Sequence, residues 1–206
     1  MNSNKPSTNT LNLLLKYEVG GGEEYYTKFL SKFTWPGGAS GPTIAIGIDC
    51  GYYSKEELSE IFSFISEKES LEMIKQASGK VGERGKEYAK VLRKTDIVVP
   101  WSKALDIFEQ YTWPKFTKLA EKTFPGLESL RPDAYGAVVS LVFNRGTSLI
   151  GDKRIEMRNI KELIPTKNYK KIAQEFRSMK RIWRGKNLNG LLERREAEAK
   201  LIESIC

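Results

Sequence analysis

The chain offers carboxylates, hydroxyls and amines for chemistry, and it contains no histidine. That removes histidine-based triads and imidazole acid–base work, and leaves almost no route to a catalytic zinc site. Glu18 is the most informative of the remaining groups. The run LNLLLKYE, from Leu11 to Glu18, reads as a short helix with Thr10 as its N-cap, halted by Gly20-Gly21-Gly22. A helix C-terminus carries partial negative charge, so it suits a lysine or arginine and disfavours an ionised carboxylate. A glutamate there tends to keep its proton. A carboxylic acid held neutral near pH 7 is the group that protonates a leaving oxygen in glycoside hydrolysis. Residues that break a local rule concentrate at functional sites, so Glu18 reads as a general acid. The competing reading is an exposed glutamate that merely ends a helix.

Thr43 and Asp49 are the next candidates. TIAIGID reads as a strand, with Ile44, Ile46 and Ile48 on one face and Thr43, Ala45, Gly47 and Asp49 on the other. A hydroxyl, two very small residues and a carboxylate leave room for a flat ligand such as a sugar ring. In a fully extended strand Thr43 and Asp49 would stand about 20 Å apart, so they serve one water only if the chain bends, at Gly47. The competing reading is a hairpin with Asp49 as a turn residue ahead of Gly51. Tyr25, Trp35 and Tyr52, with neighbours Tyr26 and Tyr53, are candidates to stack on sugar faces, although aromatics more often pack a core. Asn144 is a candidate substrate contact or a simple helix cap.

The elements that must position these groups are mostly helical. The TIAIGID strand is the only convincing β signal. Ser54 with Glu57 predicts a capping box for KEELSEIFSFI. Further helices are expected over EKESLEMIKQAS, Glu83–Leu92, Ser102–Lys122, PDAYGAVVSLVF with Pro132 in its first turn, Lys153–Ile164, Asn168–Ser178 and the closing LLERREAEAKLIES. Residues 1–10 read as a loose lead-in. The expected fold is α+β, mostly α, in a single domain over 1–206: an N-terminal lobe over 1–54 with the small β element, a larger helical lobe over 55–206, and a cleft between them. Trp101, Trp113 and Trp183 read as packing residues.

With 206 residues, 40% hydrophobic and 29% charged, the chain has an ordinary globular composition. No apolar run approaches the ~20 residues of a membrane span, so no stable membrane insertion is expected. The polar start MNSNKPSTNT lacks the apolar stretch of a secretory signal, so action outside the cell that makes the protein would require release or delivery by another route. Cys50 and Cys206 read as free thiols. No cofactor and no metal are expected. The net charge of +8 attracts polyanions: nucleic acid, anionic membrane or anionic cell wall. KRIWRGK has the aromatic-in-basic look of a nucleic-acid patch, but no binding motif accompanies it, and a solvated helix face is the default.

The stretch from Glu18 through the Gly-rich loop to TIAIGID resembles the phage-type lysozymes of glycoside hydrolase family 24, and more closely the pesticin-like muramidase domain. In the latter pattern a Thr precedes an Asp by six, as Thr43 precedes Asp49. DAYGAVVSLVFNRGTSL is similar to the family's apolar helix ending in Phe-Asn-x-Gly, and GLLERREAEAKLI to its closing Gly-Leu-x-x-Arg-Arg-x-x-Glu segment. The sequence departs at Ala45-Ile46-Gly47-Ile48, where relatives often have Gly-Ile-Gly and then Tyr or His. The stretch Lys55–Pro100 is also longer than in the compact enzymes.

The resemblance implies a lysozyme-like fold and hydrolysis of the β-1,4 link between N-acetylmuramic acid and N-acetylglucosamine. Glu18 would be the acid, Asp49 would orient or activate water or stabilise the sugar cation, and Thr43 would hold the water. Arg194 or Arg195 would reach Glu18 and hold it, against the competing reading of ordinary i to i+4 pairs with Glu198. The implied partners are peptidoglycan and, for a bacteriocin-like domain, a cognate immunity or inhibitor protein. Nucleic acid is not expected, and the protein is expected to be a monomer. A lysozyme-like wall-binding or protein-binding domain of little activity, and a basic nucleic-acid binder, are the rival functions.

Overall fold

The structure is a computed structural model, and it describes residues 5–20 and 22–204. The chain divides into two compact units, one of residues 1–17 with 113–206 and the other of residues 18–112. The division therefore falls at 17/18 and 112/113, and not at the 54/55 boundary expected from sequence. The reason lies in the second unit, where the segment beyond residue 55 is bonded to the loops that flank the β element, at Ser40 and Gly51.

The first helix, α1 (Thr8–Glu18), starts earlier than the sequence suggested. Ser7 does the capping, accepting from Thr10 N at 3.1 Å and donating to Asp133 at 2.5 Å. Thr10, expected as the cap, is instead fully buried inside the helix. Residues 8–10 are thus not a loose lead-in. Val19 is buried, and Gly20 adopts φ +66°, the left-handed turn that stops a helix.

In the unit of residues 18–112, α2 (Gly22–Phe29) is followed by the β element. TIAIGID is not one strand. It folds into a tight hairpin of β1 (Thr43–Ile44) and β2 (Ile48–Asp49), antiparallel, with Thr43 opposite Asp49 and Ile44 opposite Ile48. Ala45 at φ +56° and Gly47 at φ +80° make the reversal, so the bend begins two residues before the glycine expected to carry it. A positive φ at alanine is sterically costly. The turn compensates by burying Ile46 along with Ile44 and Ile48.

Then come α3 (Lys55–Ile61), α4 (Lys68–Lys75), α5 (Gly82–Arg93) and α6 (Trp101–Ile107). The predicted capping box is present: Glu57 N donates to Ser54 Oγ and Ser54 N donates to the Glu57 carboxylate. Tyr26 of α2 is buried, donates to Val99 O at 2.8 Å and lies 5.2 Å from the Trp101 ring. The single helix expected over Ser102–Lys122 is broken. A π-helical segment spans Phe108–Thr112 before α7 (Trp113–Thr123) begins. Pro114 explains the break, because it has no N–H for the carbonyl four residues back and its ring crowds that carbonyl.

In the other unit, α7 is followed by α8 (Pro132–Arg145), α9 (Ile155–Leu163), α10 (Tyr169–Ser178) and α11 (Asn189–Glu203). Helix α8 is apolar nearly all round and correspondingly buried. It meets α1 at Gly136, where a Cβ would lie 1.9 Å from Thr10 Oγ1; only glycine permits that approach. Trp113 packs edge-on against Tyr135 at 6.2 Å, as a packing residue should. No described helix is long and apolar enough to cross a membrane.

Candidate active site

Asp49 is the best-positioned candidate. It ends β2 and caps the 3₁₀ turn Cys50–Tyr52, accepting from Gly51 N at 3.1 Å. Gly41 N donates to both its oxygens, at 2.9 and 3.1 Å. These backbone donors fix the carboxylate's orientation independently of side-chain rotamers. The cradle is made of glycines. A Cβ on Gly41 would lie 2.6 Å from Asp49 Oδ1, and one on Gly51 would lie 2.6 Å from Lys80 O. The long segment after residue 55 closes behind this cradle: Gly82 N donates to Ser40 O at 3.0 Å and Gly79 N to Gly51 O at 3.1 Å. Gly85 of α5 sits so close that a Cβ would meet Ser40 O at 2.8 Å. This segment thus buttresses the loop that holds Asp49.

Thr43 faces Asp49 across the hairpin, and directly opposed residues project from the same face. The hydroxyl donates to Gly41 O at 3.2 Å, so one glycine anchors both candidates. The opposition replaces the ~20 Å separation of an extended strand with neighbouring Cα positions roughly 4.5–5.5 Å apart.

Glu18 is the last residue of α1 and is partly exposed, so it is neither sequestered nor out in bulk solvent. Trp35 and Tyr52 converge on the loop ahead of Gly41: Trp35 Nε1 donates to Ser40 O at 2.9 Å and Tyr52 Oη to Ala39 O at 2.8 Å. Tyr52 keeps 59% of its surface exposed, and Lys86 lies over the Trp35 ring at 5.4 Å. Tyr25 is also exposed, and its ring partner is Phe29 on the same helix. Tyr53 is half-buried, and burial pushes its hydroxyl up to about 12.

Asn144, Arg194 and Arg195 belong to the other unit. Asn144 is exposed near the end of α8, where Gly146 N bonds Val142 O. Arg194 and Arg195 are buried around Glu198, which is also fully buried. Glu198 Oε1 accepts from Ser140 Oγ at 2.6 Å, Arg195 Nη2 at 2.8 Å and Arg194 Nε at 3.3 Å. The i to i+4 pairing weighed from sequence is therefore real, with an i to i+3 pair beside it. The Arg194 guanidinium also lies 5.6 Å from the Tyr17 ring centre, against the residue preceding Glu18 in the chain. Burial, then the Glu193 and Glu198 carboxylates, raise the Tyr17 hydroxyl above its ordinary range, opposed by the two arginines.

Sequence reasoning missed the parts played by Gly41, Gly51 and Gly85, and the partner Ser140. Gly41-Pro42 just ahead of Thr43 was a readable signal for the first; Ser140, 58 positions from Glu198, left none. Cys50 is a free, fully buried thiol, as expected, while Cys206 lies outside the described residues. No group of three or more metal-binding side chains occurs among the described residues.

Among protein families, the one described as phage lysozyme matches residues 34–198. That span includes Thr43, Asp49, Asn144, Arg194 and Arg195; Glu18 and Tyr25 precede it. No curated protein matches the chain.

Proposed function

Since the chain belongs to the phage lysozyme family, we propose that it is a muramidase, hydrolysing the β-1,4 bond between N-acetylmuramic acid and N-acetylglucosamine in peptidoglycan. Glu18 donates its proton to the glycosidic oxygen as the bond to the sugar's anomeric carbon breaks. Thr43 and Asp49 together hold the water that adds to that carbon. The Thr43 oxygen has lone pairs to accept one water proton, and Asp49 accepts the other and carries it away as the new bond forms. Trp35 and Tyr52 supply faces for sugar rings, and Tyr25 is a further substrate contact. Arg194 and Arg195 act as positioning residues for the end of α1, through Tyr17. The six-residue spacing of Thr43 and Asp49 further supports a pesticin-like subtype.

The observation that carries this reading is the opposition of Thr43 and Asp49 on one hairpin face, with both tied to Gly41. Neither alternation nor core packing requires a glycine cradle around a carboxylate.

Purified cell walls provide the test. The wild type is expected to clear a wall suspension and to release fragments with new reducing ends on N-acetylmuramic acid, read by mass spectrometry. Glu18→Gln and Asp49→Asn are each expected to lose about two to four orders of magnitude in rate. Clearing that survives Glu18→Gln rejects it as the acid. Reducing glucosamine ends or cut peptides reject the muramidase reading. Wall binding without any release identifies a binding domain instead.

A further inference from the structure

A concavity lies wholly within the unit of residues 1–17 and 113–206. It has a volume of about 480 Å³, and its lining includes Asn144, Arg145, Lys153, Arg154, Trp183 and Lys186. Four of these six are cations and none is an acid. The nearby carboxylates are committed elsewhere: Asp152 and Glu156 both pair with Arg181, at 3.0 and 2.5 Å. Among the described residues, none of the four lining cations has a carboxylate partner.

Arg145 is the fixed member. Its guanidinium stacks 4.8 Å from the Trp183 ring centre, and Nη2 donates to Lys153 O at 2.6 Å. Its Nε is buried and meets no acceptor among the described residues. Trp183 carries a second guanidinium, Arg195, at 6.0 Å on its ring, and Arg195 is in turn locked by Glu198. The platform under Arg145 is therefore rigid. Around it Lys186 donates to Ile182 O and Arg154 to Met157 Sδ, which are neutral partners. Burial, then the charges of Arg154 and Arg195, hold Arg145 down to about 10, with Glu156 opposing and Arg181 adding to the depression.

Like charges gathered with no counter-charge cost the fold stability unless something else meets them. A rigid guanidinium with flexible cations at the rim suits an oxyanion, which takes paired N–H donors from arginine and point charges from lysine. It also gives a role to KRIWRGK, whose aromatic-in-basic character the glycosidic chemistry leaves unused. We propose that this pocket is an anion-binding site for a ligand carrying two or more oxyanion charges, phosphate or carboxylate, with Arg145 as the fixed donor and Lys153, Arg154 and Lys186 closing round the charge. This inference does not rest on the muramidase reading.

Isothermal titration of the full chain with pyrophosphate, and separately with citrate, at ~150 mM salt tests it. Saturable one-to-one binding of at least one probe is expected, and which one binds distinguishes phosphate from carboxylate. The double variant Arg154→Gln/Lys186→Gln leaves the Arg145 stack intact. It is expected to keep the wild-type melting temperature and to bind roughly tenfold or more weakly. Glu18→Gln is expected to bind as the wild type does, so loss of wall cleavage and loss of anion binding are separable. Absence of saturable binding of either probe to the wild type, or equal affinity in the double variant, overturns the proposal.

Discussion

Gly41→Ala isolates the Asp49 cradle from everything else in the protein. Gly41 is not in the left-handed region, so alanine is conformationally permitted and only space is at issue. The new Cβ would sit 2.6 Å from Asp49 Oδ1, whereas ordinary contact begins at 3.4 Å, so the carboxylate must retreat by about 0.8 Å. Gly51 N and Cα, at 2.7 Å, block the backbone from absorbing the strain cheaply. Misplacement of a reacting group by about 1 Å costs on the order of 100-fold in rate, so a loss of roughly 30- to 100-fold is expected. Overpacking of this kind costs about 1–3 kcal/mol. For a chain of this size that lowers the melting temperature by about 2–12 °C and leaves a folded enzyme at room temperature. The assay is initial-rate clearing of purified cell walls at 25 °C, with circular dichroism melting of the same preparations. Gly190→Ala, whose Cβ would meet nothing within 4 Å, is the control and should match the wild type. A Gly41→Ala protein that clears walls within threefold of wild type would refute the claim that the cradle sets the position of Asp49.

Two predictions concern buried groups. Glu198→Gln removes the counter-charge of two buried guanidiniums, so a loss of about 3–5 kcal/mol in urea unfolding is expected; a loss below about 1 kcal/mol would show that the network is not stabilising as an ion cluster. Burial raises the Cys50 thiol well above the ordinary range, so the folded state holds its proton more tightly than the unfolded chain does. Below the unfolded thiol's range there is no difference; as pH rises through it, the unfolded state ionises first and stability falls. A Cys206→Ser variant should accordingly show no fast-reacting thiol at pH 8 until denaturant is added, and immediate labelling of the native protein would contradict this.

The two local periodicities account for most of what was legible in advance. Helices α3, α8, α10 and α11 lie close to where capping residues and apolar spacing predicted, because a cap and a 3.6-residue stripe are properties of neighbouring residues. The end of α1 at Glu18 was readable for the same reason: glycines follow immediately. Residue types also sufficed to exclude imidazole chemistry and to single out Thr43 and Asp49. The break at Phe108–Thr112 was readable too, had Pro114 been weighed against the apolar pattern around it.

Tertiary structure decided the rest. Alternation is the same for one strand as for two strands joined by a short turn, so the pattern of TIAIGID could not say that Thr43 would face Asp49; burial of Ile46 in the turn settled it. The donors on Asp49 come from Gly41 and Gly51, and the backbone behind them from residues 79–85, which sequence spacing leaves unconnected. Likewise only packing of α8 against α11 brings Ser140 to Glu198, and only the fold gathers Arg145, Lys153, Arg154 and Lys186 around one cavity. Residue type and local spacing thus set which groups were available and which helices carried them. Contacts between distant segments set where those groups point, because side-chain burial and backbone hydrogen bonding are satisfied by the folded chain as a whole.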